Sequence, residues 1–131
     1  MDINWFTTIL LIIAIILSFI FFYTRREMRK NIIMLTEEEF TNNMRKGQLI
    51  DLRKKNEFDD GHINGARNIP ATLITKGTGK LRNDLPVYLY CKNGKASKRA
   101  AVFLSTRGFT TIFGLESGLE NWSKPLKNKQ K

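Results

Sequence analysis

The sequence predicts an α/β domain with parallel strand pairing, carried behind one apolar membrane-spanning helix. Three observations lead there: an uncharged run near the N-terminus, short strand-like runs alternating with helical signals over residues 31–124, and glycines at the helix ends. Strands separated by helices pair in parallel through right-handed crossovers. The chain of 131 residues is 42% hydrophobic, too apolar for a disordered protein and long enough for one domain. A net charge of +10 favours anionic partners. Nucleic acid is not expected among them, because no aromatic stacking platform or reader motif accompanies the lysines. One cysteine and one histidine exclude an internal disulfide framework and any Cys- or His-rich metal centre.

The first element runs from Trp5 to Tyr23, with only Thr7, Thr8 and Ser18 as mildly polar residues. At about 1.5 Å per residue it covers roughly 28 Å, close to a bilayer core of about 30 Å. Trp5 and Tyr23 sit at its ends, where amphipathic rings favour the interface. A cleaved signal peptide would carry positive charge before the run and a small-residue cleavage site after it, and neither is present. Arg25, Arg26, Arg29 and Lys30 follow the span and only Asp2 precedes it, which places the C-terminal domain in the cytoplasm. Residues 1–30 are therefore read as a single-pass anchor with a basic juxtamembrane segment. Residues 31–124 form the domain, and residues 125–131 a disordered, lysine-rich tail.

Within the domain, Ile32–Met34 is the first expected strand. Thr36 and Glu39 then form a capping box, with Leu35 and Phe40 placed for the hydrophobic staple. Gly47 closes that helix after Arg45 and Lys46. Leu49–Leu52 is the second strand, followed by a short helix capped by Asn56 and stopped at Gly61. Ala66–Ile69 is the third strand, ended by Pro70. A turn of helix and a loop bearing Gly77 and Gly79 come next. Pro86–Tyr90 is the clearest strand, being β-branched and aromatic. A helix from Lys95 to Thr106 presents Ala100, Ala101, Phe103 and Leu104 and stops at Gly108. Thr110–Phe113 is the last strand, and Leu119 with Trp122 anchor a final short helix.

Ligands of open α/β sheets gather beyond the carboxyl ends of the strands. Cys91 falls there, and the chain continues Lys92-Asn93-Gly94-Lys95-Ala96-Ser97-Lys98-Arg99 into a helix. The helix start offers unpaired amides and partial positive charge, Gly94 lets the loop curl, and the basic residues add field. Together these favour thiolate over thiol. The same cradle suits an anionic sulfur species or an oxyanion.

Asp51-Leu52-Arg53, Glu57-Phe58, Gly61-His62-Ile63, Gly65-Ala66 and Asn68-Ile69-Pro70 resemble the first signature of rhodanese-like domains. Cys91 to Ser97 resembles their active-site loop, and Gly118-Leu119 with Trp122 their closing segment. The resemblance covers residues 32–124. It implies a five-stranded, mainly parallel sheet flanked by helices and a sulfurtransferase activity. Cys91 would take sulfane sulfur from a small anionic donor such as thiosulfate and pass it, as a persulfide, to cyanide, a thiol or a protein acceptor. No metal or organic cofactor is implied. Amides from Lys92, Asn93, Gly94, Lys95, Ala96 and Ser97 would hold the substrate, with Ser97 adding a hydroxyl. Asp51 would brace the loop by accepting its hydrogen bonds, and Arg53 would pair with Glu57. His62 reads as a packing residue at the helix stop. The chain departs from the family where Ala96 stands in place of a common Arg, which removes a bidentate oxyanion holder and leaves Lys95 to supply charge.

Two other functions fit parts of the pattern. A Cys-dependent phosphatase or arsenate reductase needs an Arg six positions after the cysteine, where this chain has Ser97. A non-catalytic module docking a partner at the membrane would keep the fold without using Cys91.

Overall fold

The computed structural model describes residues 4–77 and 80–128. Asp2, Gly79 and the last three residues of the tail lie outside the described residues, as do the side chains of Arg29 and Lys30. Helix α1 (Trp5–Lys30) carries the apolar run, and its segment Trp5–Glu27 is long and apolar enough to cross a membrane. None of that segment is buried against the domain. A core helix of a soluble protein would be buried.

Five parallel strands form one sheet: β1 (Ile32–Leu35), β2 (Gln48–Asp51), β3 (Arg67–Asn68), β4 (Val87–Tyr90) and β5 (Ile112–Leu115), in the order β1-β5-β4-β2-β3. The expected class and parallel pairing are both present. Side chains of β4 alternate between two cores, as successive strand residues must. Val87, Leu89 and Cys91 join Ile50, Leu52, Ile74, Ala100, Ala101 and Leu104 on one face. Tyr88 and Tyr90 join Leu35, Phe40, Met44, Leu49, Ile63 and Leu115 on the other. The first face is covered by α4 (Ala71–Ile74) and α5 (Lys95–Ser105), the second by α2 (Glu37–Asn43). Phe40 meets Tyr88, Tyr90 and Trp122 edge-on, which suits the opposite polarity of ring edges and faces.

Several boundaries differ from expectation for identifiable reasons. Thr36 Oγ1 accepts from the Glu39 amide at 3.3 Å, and its hydroxyl donates to the Glu39 carboxylate at 3.2 Å. Arg45 and Lys46 belong to a 3-10 turn, Met44–Lys46, after α2 has ended. Gly47 is extended there, and its lack of a Cβ admits the Pro86 carbonyl rather than a left-handed turn. Helix α3 (Lys55–Asp60) has Lys54 at its N-cap, so Asn56 lies inside the helix and caps nothing. Strand β5 runs two residues later than expected, through Gly114. A Cβ at Gly114 would come within 2.7 Å of the Met34 sulfur, so glycine lets β1 and β5 pack instead of breaking the strand. The tail is also not wholly free: Lys127 exchanges backbone hydrogen bonds with His62, at 2.8 and 3.0 Å.

Candidate active site

All five strands point the same way, so their carboxyl ends share one edge, and Cys91 stands at it directly after β4. Cys91 is nearly buried, at 3% exposure, yet its sulfur is not sealed in hydrocarbon. The Gly94 amide donates to Sγ at 3.1 Å and the Ser97 amide at 3.4 Å. Gly94 makes this possible by taking φ 89°, a left-handed conformation that side chains disfavour. The curled loop turns two N–H groups inward at the start of α5, where the helix dipole is positive. Of the other expected cradle amides, that of Lys95 is directed elsewhere. It donates to Asn93 Oδ1 at 3.1 Å, and the Asn93 side chain thereby caps the turn.

The loop is clamped from behind. Leu119 N–H donates to the Cys91 carbonyl at 2.8 Å and Glu120 N–H to the Lys92 carbonyl at 2.9 Å. Both come from the final 3-10 turn, Leu119–Asn121. Gly118, at φ 68°, lies so close to Lys92 and Asn93 that a Cβ would collide with their backbone. The closing segment thus fixes the curvature of the cysteine loop, a role that its sequence position alone does not announce.

Above the sulfur lies a pocket of about 330 Å³. Of the residues expected to hold substrate, Lys92, Asn93, Lys95 and Ala96 line it and Gly94 and Ser97 do not. Ser97 is fully buried and contributes its amide, while its hydroxyl has no hydrogen-bond partner among the described residues. The pocket wall also carries Arg53, Lys54 and Arg99, with Glu57 as its one carboxylate. Five cations against one anion make a field for anionic ligands. Lys54 and Thr72 come from segments the sequence reading left out of the site, because only the folded sheet edge brings them near Cys91. Lys98 lies outside this wall.

Asp51 and Arg53 support the site in a different way from that expected. Asp51 is fully buried at the end of β2, in register with Tyr90. Its carboxylate accepts from the Arg53 amide at 2.8 Å and from the Arg53 guanidinium at 2.8–3.2 Å, so its partner is Arg53 and not the cysteine loop. Arg53 therefore pairs with Asp51 rather than Glu57, because it precedes α3 and is not on the helix face that an i,i+4 pair requires. Its second contact is the Gly61 carbonyl, at 2.5 Å. Burial works against the Arg53 charge, but the Asp51 hydrogen bonds and charge outweigh it and raise the guanidinium pKa. Burial, then the nearby Asp51 charge, push the Tyr90 phenol far up, so it stays neutral and accepts from the Ile63 amide at 3.1 Å. His62 packs as expected. Its ring stacks on Phe58 at 3.8 Å, and Nδ1 donates to the Phe58 carbonyl at 2.8 Å.

A family model described as rhodanese-like domain matches residues 36–125. The Bacillus subtilis (strain 168) protein YqhL is 49% identical over 96 residues, covering 73% of this chain and 76% of that protein. The thiosulfate sulfurtransferase GlpE of Shewanella oneidensis is 33% identical over 75 residues, covering 57% of this chain and 74% of that protein. Among solved structures, a rhodanese-like domain protein from Staphylococcus aureus superposes with a TM-score of 0.68 at 24% identity, covering 75% of this chain and 99% of that one.

Proposed function

This chain belongs to the rhodanese-like domain family, and we propose that it is a membrane-anchored sulfurtransferase in which Cys91 carries the sulfur. The observation that supports this most is the pair of amides aimed at Sγ at the floor of a cationic pocket. With thiosulfate as donor, the Cys91 thiolate attacks the outer sulfur, the S–S bond of the donor breaks, and sulfite leaves with the electron pair of that bond. Cys91 then holds a persulfide, whose terminal sulfur carries the negative charge. Cyanide attacks that sulfur to give thiocyanate and regenerate the thiolate, while a thiolate acceptor leaves as a persulfide. A low-molecular-weight persulfide serves as donor by the same exchange, with a thiolate as leaving group.

Each step moves an anion into or out of the pocket, and the five cations of its wall serve that traffic. The Gly94 and Ser97 amides donate hydrogen bonds to the sulfur that the reaction uses. Arg53, fixed by Asp51, gives the wall a charge that does not wander. Helix α1 anchors the domain at the membrane, and the basic residues after it set the domain on the cytoplasmic side. The test is thiocyanate production by the full chain in detergent. Wild type converts cyanide in the presence of a sulfane donor, and Cys91→Ser, correctly folded by circular dichroism, does not. Equal rates for the two proteins would remove Cys91 from the reaction.

A further inference from the structure

A second and larger cavity, of about 560 Å³, lies between α1, β1 and α5, away from the Cys91 loop. Its walls combine three cations, Arg25, Lys98 and Arg99, with three apolar side chains, Ile32, Met34 and Val102. No carboxylate is among these lining residues. We infer that this cavity is a binding site for the headgroup of an anionic phospholipid. The inference rests on the reading of α1 as a membrane anchor.

Depth selects the lipid over a soluble phosphate. The apolar run ends at Tyr23, and Arg25 follows two residues later, about 3 Å further along the axis. In a spanning helix that position is the headgroup layer, so a cavity lined by Arg25 opens at the same depth. The Arg25 guanidinium lies 5.5 Å from the Phe21 ring centroid, against the last turns of the apolar run. Cations gather around a phosphate there, and the apolar residues receive the glyceryl and upper acyl segments. Arg26 has the same charge and depth as Arg25 but points about 100° round the helix and does not line the cavity.

The experiment is native mass spectrometry of the full chain from micelles containing equal phosphatidylglycerol and phosphatidylcholine. Wild type retains phosphatidylglycerol in preference, one molecule per chain. Arg25→Gln and Lys98→Gln each reduce that retention about fivefold, and Arg26→Gln leaves it unchanged. Equal losses in Arg25→Gln and Arg26→Gln, or no preference between the two lipids, overturn the site and reduce the effect to diffuse charge. Displacement of phosphatidylglycerol by inorganic phosphate overturns the lipid assignment. Recovery of the chain with phosphatidylcholine vesicles after an alkaline wash tests the anchor by itself. A chain lost in the wash overturns anchor and site together.

Discussion

Replacing Gly94 by Ala strikes the cradle at its hinge. The residue sits at φ 89°, where an L side chain costs about 1–2 kcal/mol. A Cβ there also collides with the Glu116 carbonyl, so the loop has to shift rather than absorb strain in place. The shift lifts the Gly94 amide from Sγ, which it now meets at 3.1 Å. One hydrogen bond to a charged group contributes about 1.5–3 kcal/mol, and its loss from the loading step slows that step roughly 10- to 150-fold. The assay is stopped-flow or quenched sulfur loading of Cys91, with thermal unfolding measured in parallel to separate the strain from the kinetic loss. Gly77→Ala is the control, since nothing lies within 4 Å of a Cβ there and its φ is not left-handed. Loading by Gly94→Ala at the wild-type rate would refute the amide cradle as the source of reactivity.

Other consequences are equally direct. Asp51→Asn leaves the Arg53 guanidinium, at 11% exposure, without its counter-charge, and should cost about 3–5 kcal/mol, read as a fall in melting temperature of at least about 12 °C. Lys95→Gln and Arg99→Gln each raise the KM for an anionic donor about two- to fivefold and flatten its salt dependence. Glu37 accepts from the Ser123 hydroxyl at 2.6 Å and its amide at 2.8 Å, and those bonds hold its carboxyl below the ordinary 4.5. A depressed carboxyl stabilises the fold above its unfolded value and loses that contribution as acid protonates it. The melting-temperature gap between wild type and Glu37→Gln should therefore be full at neutral pH and close on acidification below 4.5.

The alternation of strands and helices, and the place of Cys91 at the sheet edge, were legible because each rests on local pattern. Pro86–Tyr90 reads as a strand from composition, and Gly94 reads as a turn before a helix. The readings that failed needed knowledge of neighbours distant in sequence. The sequence ends the last strand at Phe113 until Met34 is seen packed beside Gly114, and Gly47 looks like a helix stop until Pro86 is seen beside it. The family resemblance implied Arg53 with Glu57, but Arg53 precedes α3, which starts one residue past Lys54, and Asp51 is its partner. Cations from the segment between β2 and α3, from the cysteine loop and from α5 converge on one pocket, although 38 residues of chain separate Lys54 from Lys92.

The central claim is that the Cys91 sulfur accepts a second sulfur atom. Intact-mass and peptide mass spectrometry of the full chain, incubated separately with thiosulfate and with a low-molecular-weight persulfide, test it directly. One added sulfur atom, localised to the peptide bearing Cys91, removed by cyanide and absent from Cys91→Ser, is the result expected. A folded wild-type chain that gains no sulfur from either donor contradicts it.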